Sequence, residues 1–140
     1  MKRITERYQE RVAHGETLPT ITAEARFLRS WARGAMPGVQ FLHASYAQQL
    51  SLRDSVKCRR LIESPWYREL WGDRFKLTSD QNTKGRFDND KNGSRLSTSV
   101  GSALTGEGGS IIVVDDPNAA QEAFSEATIA STIEWWDSAL

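Results

Sequence analysis

A chain of 140 residues with 39% hydrophobic and 26% charged residues has the length of one domain with a true core and the composition of a folded protein, which sets aside two full domains and a disordered tail. The formal net charge is zero but unevenly spread: residues 1–60 hold 11 basic and 5 acidic residues, residues 61–100 hold 7 and 6, and residues 101–140 hold 7 acidic and no basic ones. No run approaches the roughly 18 apolar residues of a membrane span, and Met1-Lys2-Arg3-Ile4-Thr5-Glu6 lacks the apolar centre of a signal peptide, so a cytoplasmic protein with no membrane partner is expected. The single cysteine, Cys58, excludes an internal disulfide, and with only His14 and His43 beside it there is no zinc-ligand spacing; Cys58 is expected in the core.

Residues 5–14 and 22–33 read as two helices, the second closed by Gly34, with Pro37-Gly38 as a turn. The mostly apolar run Val39-Gln40-Phe41-Leu42-His43-Ala44 suits a buried strand. From Ala47 to Glu63, Ala47, Leu50, Cys58 and Leu61 recur on one helical face, and Ser64-Pro65 ends that helix. A short helix over Trp66–Trp71 stops at Gly72, its tryptophans expected in the core or at a packed edge, and Phe75 and Leu77 begin a strand. The polar stretch 80–93 places a turn at Asp88–Gly93 between Arg86-Phe87 and Arg95–Val100, an expected β-hairpin.

A glycine-rich loop, Gly101 to Gly109, leads into Ile111-Ile112-Val113-Val114, whose β-branched residues predict a central parallel strand covered on both faces. Residues 122–140 predict a helix with two apolar stripes, Phe124, Ala127, Ser131, Trp135 and Ala139 on one side and Ile129, Ile133, Trp136 and Leu140 on another. So apolar a helix is expected to be covered on both sides.

The chemistry concentrates at Ile111-Ile112-Val113-Val114-Asp115-Asp116, a hydrophobic strand ending in two acids, as in the Walker B segment of nucleotide hydrolases. There the first carboxylate holds Mg²⁺ beneath the phosphates and the second orients or deprotonates the attacking water. That assigns Asp115 to the metal and Asp116 to catalysis. Taken alone, two acids after a strand serve equally as caps of the turn that follows.

Over about residues 39–140 the chain resembles the ATPase domain of the bacteriophage terminase large subunit. The resemblance is carried by Phe41–Tyr46, Leu61–Tyr67, Trp71-Gly72, Asp80–Phe87, Thr105–Gly109 and Val113–Pro117, in family-like order and spacing. It implies a P-loop-type ATPase that uses ATP and Mg²⁺ to drive viral double-stranded DNA into a procapsid, with the terminase small subunit and a portal ring as partners and oligomers possible. The fold it implies is α/β, a partial P-loop-NTPase-like parallel sheet flanked by helices, its strands near 39–45 and 110–115 central, with a β-hairpin insertion near 85–100. Residues 1–38 form an N-terminal helical segment outside the resemblance.

The departures are specific. No segment matches GxxxxGK[ST], the loop that cradles phosphates, and no Gly-Lys pair occurs. Glu107 stands where the family often has arginine, and the family's metal-dependent nuclease domain is absent by length, so no nuclease activity is expected. These features predict a truncated or remnant ATPase, with a non-catalytic module binding DNA, portal or small subunit as the alternative, and a split prophage product without independent function as a third. Lys57, Arg59 and Arg60, with Lys84 and Arg86, are candidate phosphate contacts on DNA, against the plainer reading of solvated surface. Asp88-x-Asp90-x-Asn92-Gly93 opens like an EF-hand loop, but Ser99 occupies the twelfth position, so calcium is not expected. Asn92-Gly93-Ser94 reads as a turn rather than a glycosylation site.

Overall fold

A computed structural model describes residues 36–104 and 106–139, without the side chain of Ala139; the helices expected over 5–14 and 22–33 lie outside the described residues. Strand β1 (Gln40–Ser45) is an interior strand of a five-stranded sheet. Helix α1 (Gln48–Glu63) follows within three residues and returns over the sheet. Helix α2 (Pro65–Trp71) comes next, then strands β2 (Leu77–Asn82), β3 (Arg86–Asn89) and β4 (Ser94–Ser99). Strand β5 (Ile111–Asp115) and helix α3 (Glu126–Ala139) are the last elements among the described residues. The strand order is β2-β3-β4-β1-β5: β1 is parallel to β4 and β5, and β4-β3 and β3-β2 are antiparallel. The protein is therefore α/β, a mixed sheet flanked by helices.

The joint between α1 and α2 follows from one dipeptide. Pro65 disfavours helical geometry at the residue before it, and Ser64 is extended at φ −66°, ψ 146°. Its amide donates to the Leu61 carbonyl and closes α1, while its Oγ accepts from the Tyr67 amide and opens α2. One serine thus satisfies both helix ends.

Alternation along the strands divides the core into two clusters. On the α1 side Phe41 and Phe87 meet Cys58, Leu61, Ile62 and the aromatics of α2, Trp66, Tyr67 and Trp71. On the other side Leu42 and Ala44 meet Leu104 and Trp135, with Ile112 and Val114 packed against them. Cys58 is buried, as expected. Serines bring α1 close to the sheet: Ser51 and Ser55 are buried, and the Ser51 hydroxyl donates to the Thr98 carbonyl at 2.7 Å.

Three expectations change. The hairpin is no insertion, because its second strand, β4, is the parallel neighbour of β1 and part of the main sheet. Residues 80–82, read as the start of a polar stretch, continue the strand expected from Leu77, so β2 runs on to Asn82 and is the first of three meander strands. Among the described residues β5 pairs with β1 alone and lies at the sheet edge; Ile111 is exposed and Ile112–Val114 are half-buried, so it is not covered on both faces. Four β-branched residues register a preference for strand and for burial, but not which neighbours arrive.

The α3 helix starts at Glu126, four residues later than expected, with the Ser125 hydroxyl accepting from the Thr128 amide. It docks by Trp135, whose indole N–H donates to the Ser102 carbonyl at 2.9 Å. Ile129, Ile133 and Trp136 of the second stripe are exposed. In the turn at 89–93 the Asn89 side-chain carbonyl accepts from the amides of Lys91 and Gly93. The Asp88 carboxylate pairs with Arg86, and that of Asp90 accepts from the Lys76 amide. Those oxygens are engaged by the turn and by neighbouring groups.

Candidate functional site

Strand β5 delivers Asp115 to the carboxyl edge of the sheet, in register with Ser45 at the end of β1. The two strands stay clamped beyond their last residues, because the Tyr46 amide donates to the Asp116 carbonyl at 3.0 Å. On the other flank of β1 the Val100 amide donates to the Ser45 carbonyl at 2.9 Å. The ends of β1, β4 and β5 therefore meet where open α/β sheets place ligands.

Both acids are solvent-exposed. Asp116 adopts φ +46°, a left-handed conformation costing most side chains roughly 1–2 kcal/mol, though aspartate tolerates it better than most. The bend turns the chain out of the strand immediately after Asp115 and sets the two successive carboxylates off the sheet edge. Asp116→Val should lower the unfolding free energy by about 1–2 kcal/mol while Asp116→Gly holds or gains stability; denaturant unfolding of the two variants checks this, and equal losses would show that the backbone here is unstrained.

A cleft of about 580 Å³ opens beside these acids on the α1 face of the sheet. Helix α1 packs chiefly over β4 and β1, which leaves the β5 flank open among the described residues. The strands supply Phe41, His43, Val113 and Asp115 to the cleft, and α1 supplies Arg53, Asp54 and Lys57. Arg53 donates to both oxygens of Asp54, at 3.0 and 3.3 Å, and the Lys57 ammonium lies 3.6 Å from the same carboxylate. These hydrogen bonds to Asp54 raise the Arg53 pKa, with a smaller contribution from the negative charge of Asp115.

Deeper in the cleft, His43 and Arg95 are buried on the same sheet face, and Arg95 donates to the Ser97 hydroxyl. Burial, and then the neighbouring Arg95 charge, lower the His43 pKa to about 3. The imidazole is therefore neutral at pH 7 and too weak a base to take a proton in catalysis. Sequence reading missed Arg95 as a lining residue. The signal is the alternation Arg95, Ser97, Ser99 against Leu96, Thr98, Val100, which puts the arginine on one face only once the strand register is known.

No group of three or more His, Cys, Asp or Glu side chains able to hold a metal occurs among the described residues. Mg²⁺ asks for less, commonly one or two carboxylates plus water and substrate phosphates, and the exposed Asp115 and Asp116 fit that donor set. No family profile, curated protein or solved structure matches this chain.

The candidate phosphate contacts are largely engaged within the protein. Arg59 donates to the backbone carbonyl and side-chain oxygen of Asn82, fastening α1 to β2. Arg86 pairs with Asp88 at 3.1 Å and with Glu107 at 3.4 Å, so the glycine-rich loop is tied by its carboxylate to the meander. Arg60 and Lys84 remain exposed.

Proposed function

We propose that this chain contributes the acidic half of a nucleotide-hydrolysing site, as part of a P-loop-NTPase-like ATPase of the phage terminase large-subunit kind, which drives packaging of viral double-stranded DNA. The observation that carries the reading is the end of β5: two carboxylates leave a strand parallel to and paired with β1, at the mouth of a cleft on the carboxyl edge of the sheet. The terminase assignment rests on the sequence blocks named above.

In this reading Asp115 is the metal carboxylate and Asp116 the water-orienting base. Bound Mg²⁺–ATP supplies the electrophilic phosphoryl group and its charge neutralisation. Asp115, at the end of a paired strand, has its backbone position set by the β1 register; Asp116 is held by its carbonyl bond to Tyr46. The apolar strand side chains Phe41 and Val113 flank the inner cleft. DNA, a small subunit and a portal ring are the partners that this reading carries.

The test is Mg²⁺-dependent ATP hydrolysis by the purified chain, with and without double-stranded DNA, beside Asp116→Ala. Turnover lowered about 100-fold or more by the substitution is the expected result for a site that uses this base; turnover that survives it removes Asp116 from the chemistry. A second reading, a non-catalytic module that binds DNA or another packaging protein, is favoured by the missing GxxxxGK[ST] sequence and the exposed stripe of Ile129, Ile133 and Trp136. Salt-dependent DNA binding without turnover distinguishes it.

A further inference from the structure

We infer that Arg53, with Lys57 one helical turn further on, forms the cationic limb of the cleft and receives the phosphate chain of a magnesium-bound nucleotide held at Asp115. The inference deepens the nucleotide-site reading and rests on it.

Two walls of the same cleft carry opposite charge. The β5 wall ends in Asp115 and Asp116, and the α1 wall presents Arg53, Asp54 and Lys57, two cations around one carboxylate. A ligand that joins a divalent cation to an anionic chain complements both walls at once: the metal faces the strand carboxylates and the phosphate oxygens face the helix cations. Neither free Mg²⁺ nor a free anion does so.

The cations are available. The side chains of Arg53 and Lys57 are 56% and 42% exposed, and their pairing with Asp54 is a surface interaction of the kind that contributes little and exchanges readily. Arg53 is also electrostatically coupled to Asp115, so an anion coordinated through a metal at Asp115 enters the field of the guanidinium. Arginine presents a planar fork suited to phosphate oxygens, and lysine adds a point charge. The chain has no GxxxxGK[ST] sequence, and of the cations lining the cleft Arg95 is buried, so α1 is where the cleft offers exposed positive charge to a polyphosphate.

Titration calorimetry of the full chain with Mg²⁺–ATP and with Mg²⁺–tripolyphosphate, for wild type, Arg53→Gln, Lys57→Gln and Asp115→Asn, tests this. Arg53→Gln is expected to weaken both ligands on the order of tenfold, the scale of one charge-assisted hydrogen bond, with less effect at high salt. Lys57→Gln should weaken them less, and Asp115→Asn should remove the magnesium dependence. Circular dichroism verifies that these exposed substitutions leave the fold intact. Unchanged affinity in both Arg53→Gln and Lys57→Gln, while Asp115→Asn loses magnesium dependence, overturns the inference and leaves the nucleotide-site reading standing. Weakening confined to ATP, with tripolyphosphate unaffected, shows that the helix cations do not meet the phosphates. A wild-type chain that binds neither probe sinks both.

Discussion

Acidification from pH 7 to pH 5 should cost this protein about 2 kcal/mol of stability through His43 alone, at a slope near 1.4 kcal/mol per pH unit. His43 is buried in β1, an interior strand of the sheet, and burial followed by the Arg95 charge lowers its pKa from the ordinary histidine value near 6.5 to about 3. A folded-state value below the unfolded one means that between these limits the unfolded chain binds the extra proton and the folded chain does not. The stabilisation is therefore complete above about pH 6.5 and declines steadily as the pH falls toward 3. His43→Asn keeps a polar side chain but removes the titration. Denaturant unfolding of both proteins at pH 7, 6 and 5 should give a stability difference that shifts by about 2 kcal/mol across the series; a difference independent of pH would mean that the folded protein accommodates the imidazolium.

A second large effect is expected at Trp66. This side chain is 1% exposed and packs edge-on to Trp71, with ring centroids 5.6 Å apart at 79°, and to Tyr67 at 6.4 Å. Such edge-to-face pairs add to the area buried. Trp66→Ala leaves a void bounded by α1, α2 and the sheet, in a cluster too well tied to collapse: Ser64 fixes the joint between the helices and Tyr67 packs on Phe75. The expected loss is about 3–5 kcal/mol. Trp136→Ala, at a residue 48% exposed on α3, should change stability by no more than about 0.5 kcal/mol. Chemical denaturation of the two variants separates them; similar losses would mean that Trp136 is covered in solution.

Much of the local structure is legible in the sequence. The run 39–44, the helix from 47 to 63 with its Ser64-Pro65 stop, and the short tryptophan-rich helix ending at Gly72 all correspond to elements within a residue or two. So does the strand that ends at Asp115. These features rest on spacing and on residues with strong local preferences, Pro65 above all. The meander is where the local reading falls short. The β2 segment Leu77–Asn82 is polar and mostly exposed or half-buried, so the sequence marks where the strand begins, at Leu77, but its pattern does not carry the strand on to Asn82.

The site divides the same way. Asp115 and Asp116 stand out in the sequence because four β-branched residues precede them, and their place at a strand end follows from that run alone. Arg53 and Asp54 carry no such mark. They read as two charges on a helix, and acquire meaning only because α1 returns over β1 and β4 and brings its second turn beside the cleft. Arg95 reads as a strand residue just after a turn, and its complete burial depends on β4 lying between β3 and β1.

By itself, then, the sequence determines the α/β character, the principal helix and strand boundaries, and the acidic end of β5, since backbone preference and side-chain period act over a few neighbouring residues. The tertiary structure alone decides that β4 joins β1, that β5 lies at the edge of the described sheet, and that Arg53 shares a cleft with Asp115. Those are outcomes of strand pairing and helix docking between residues tens of positions apart, where the free energy of packing one surface on another selects the partner and no local signal records it.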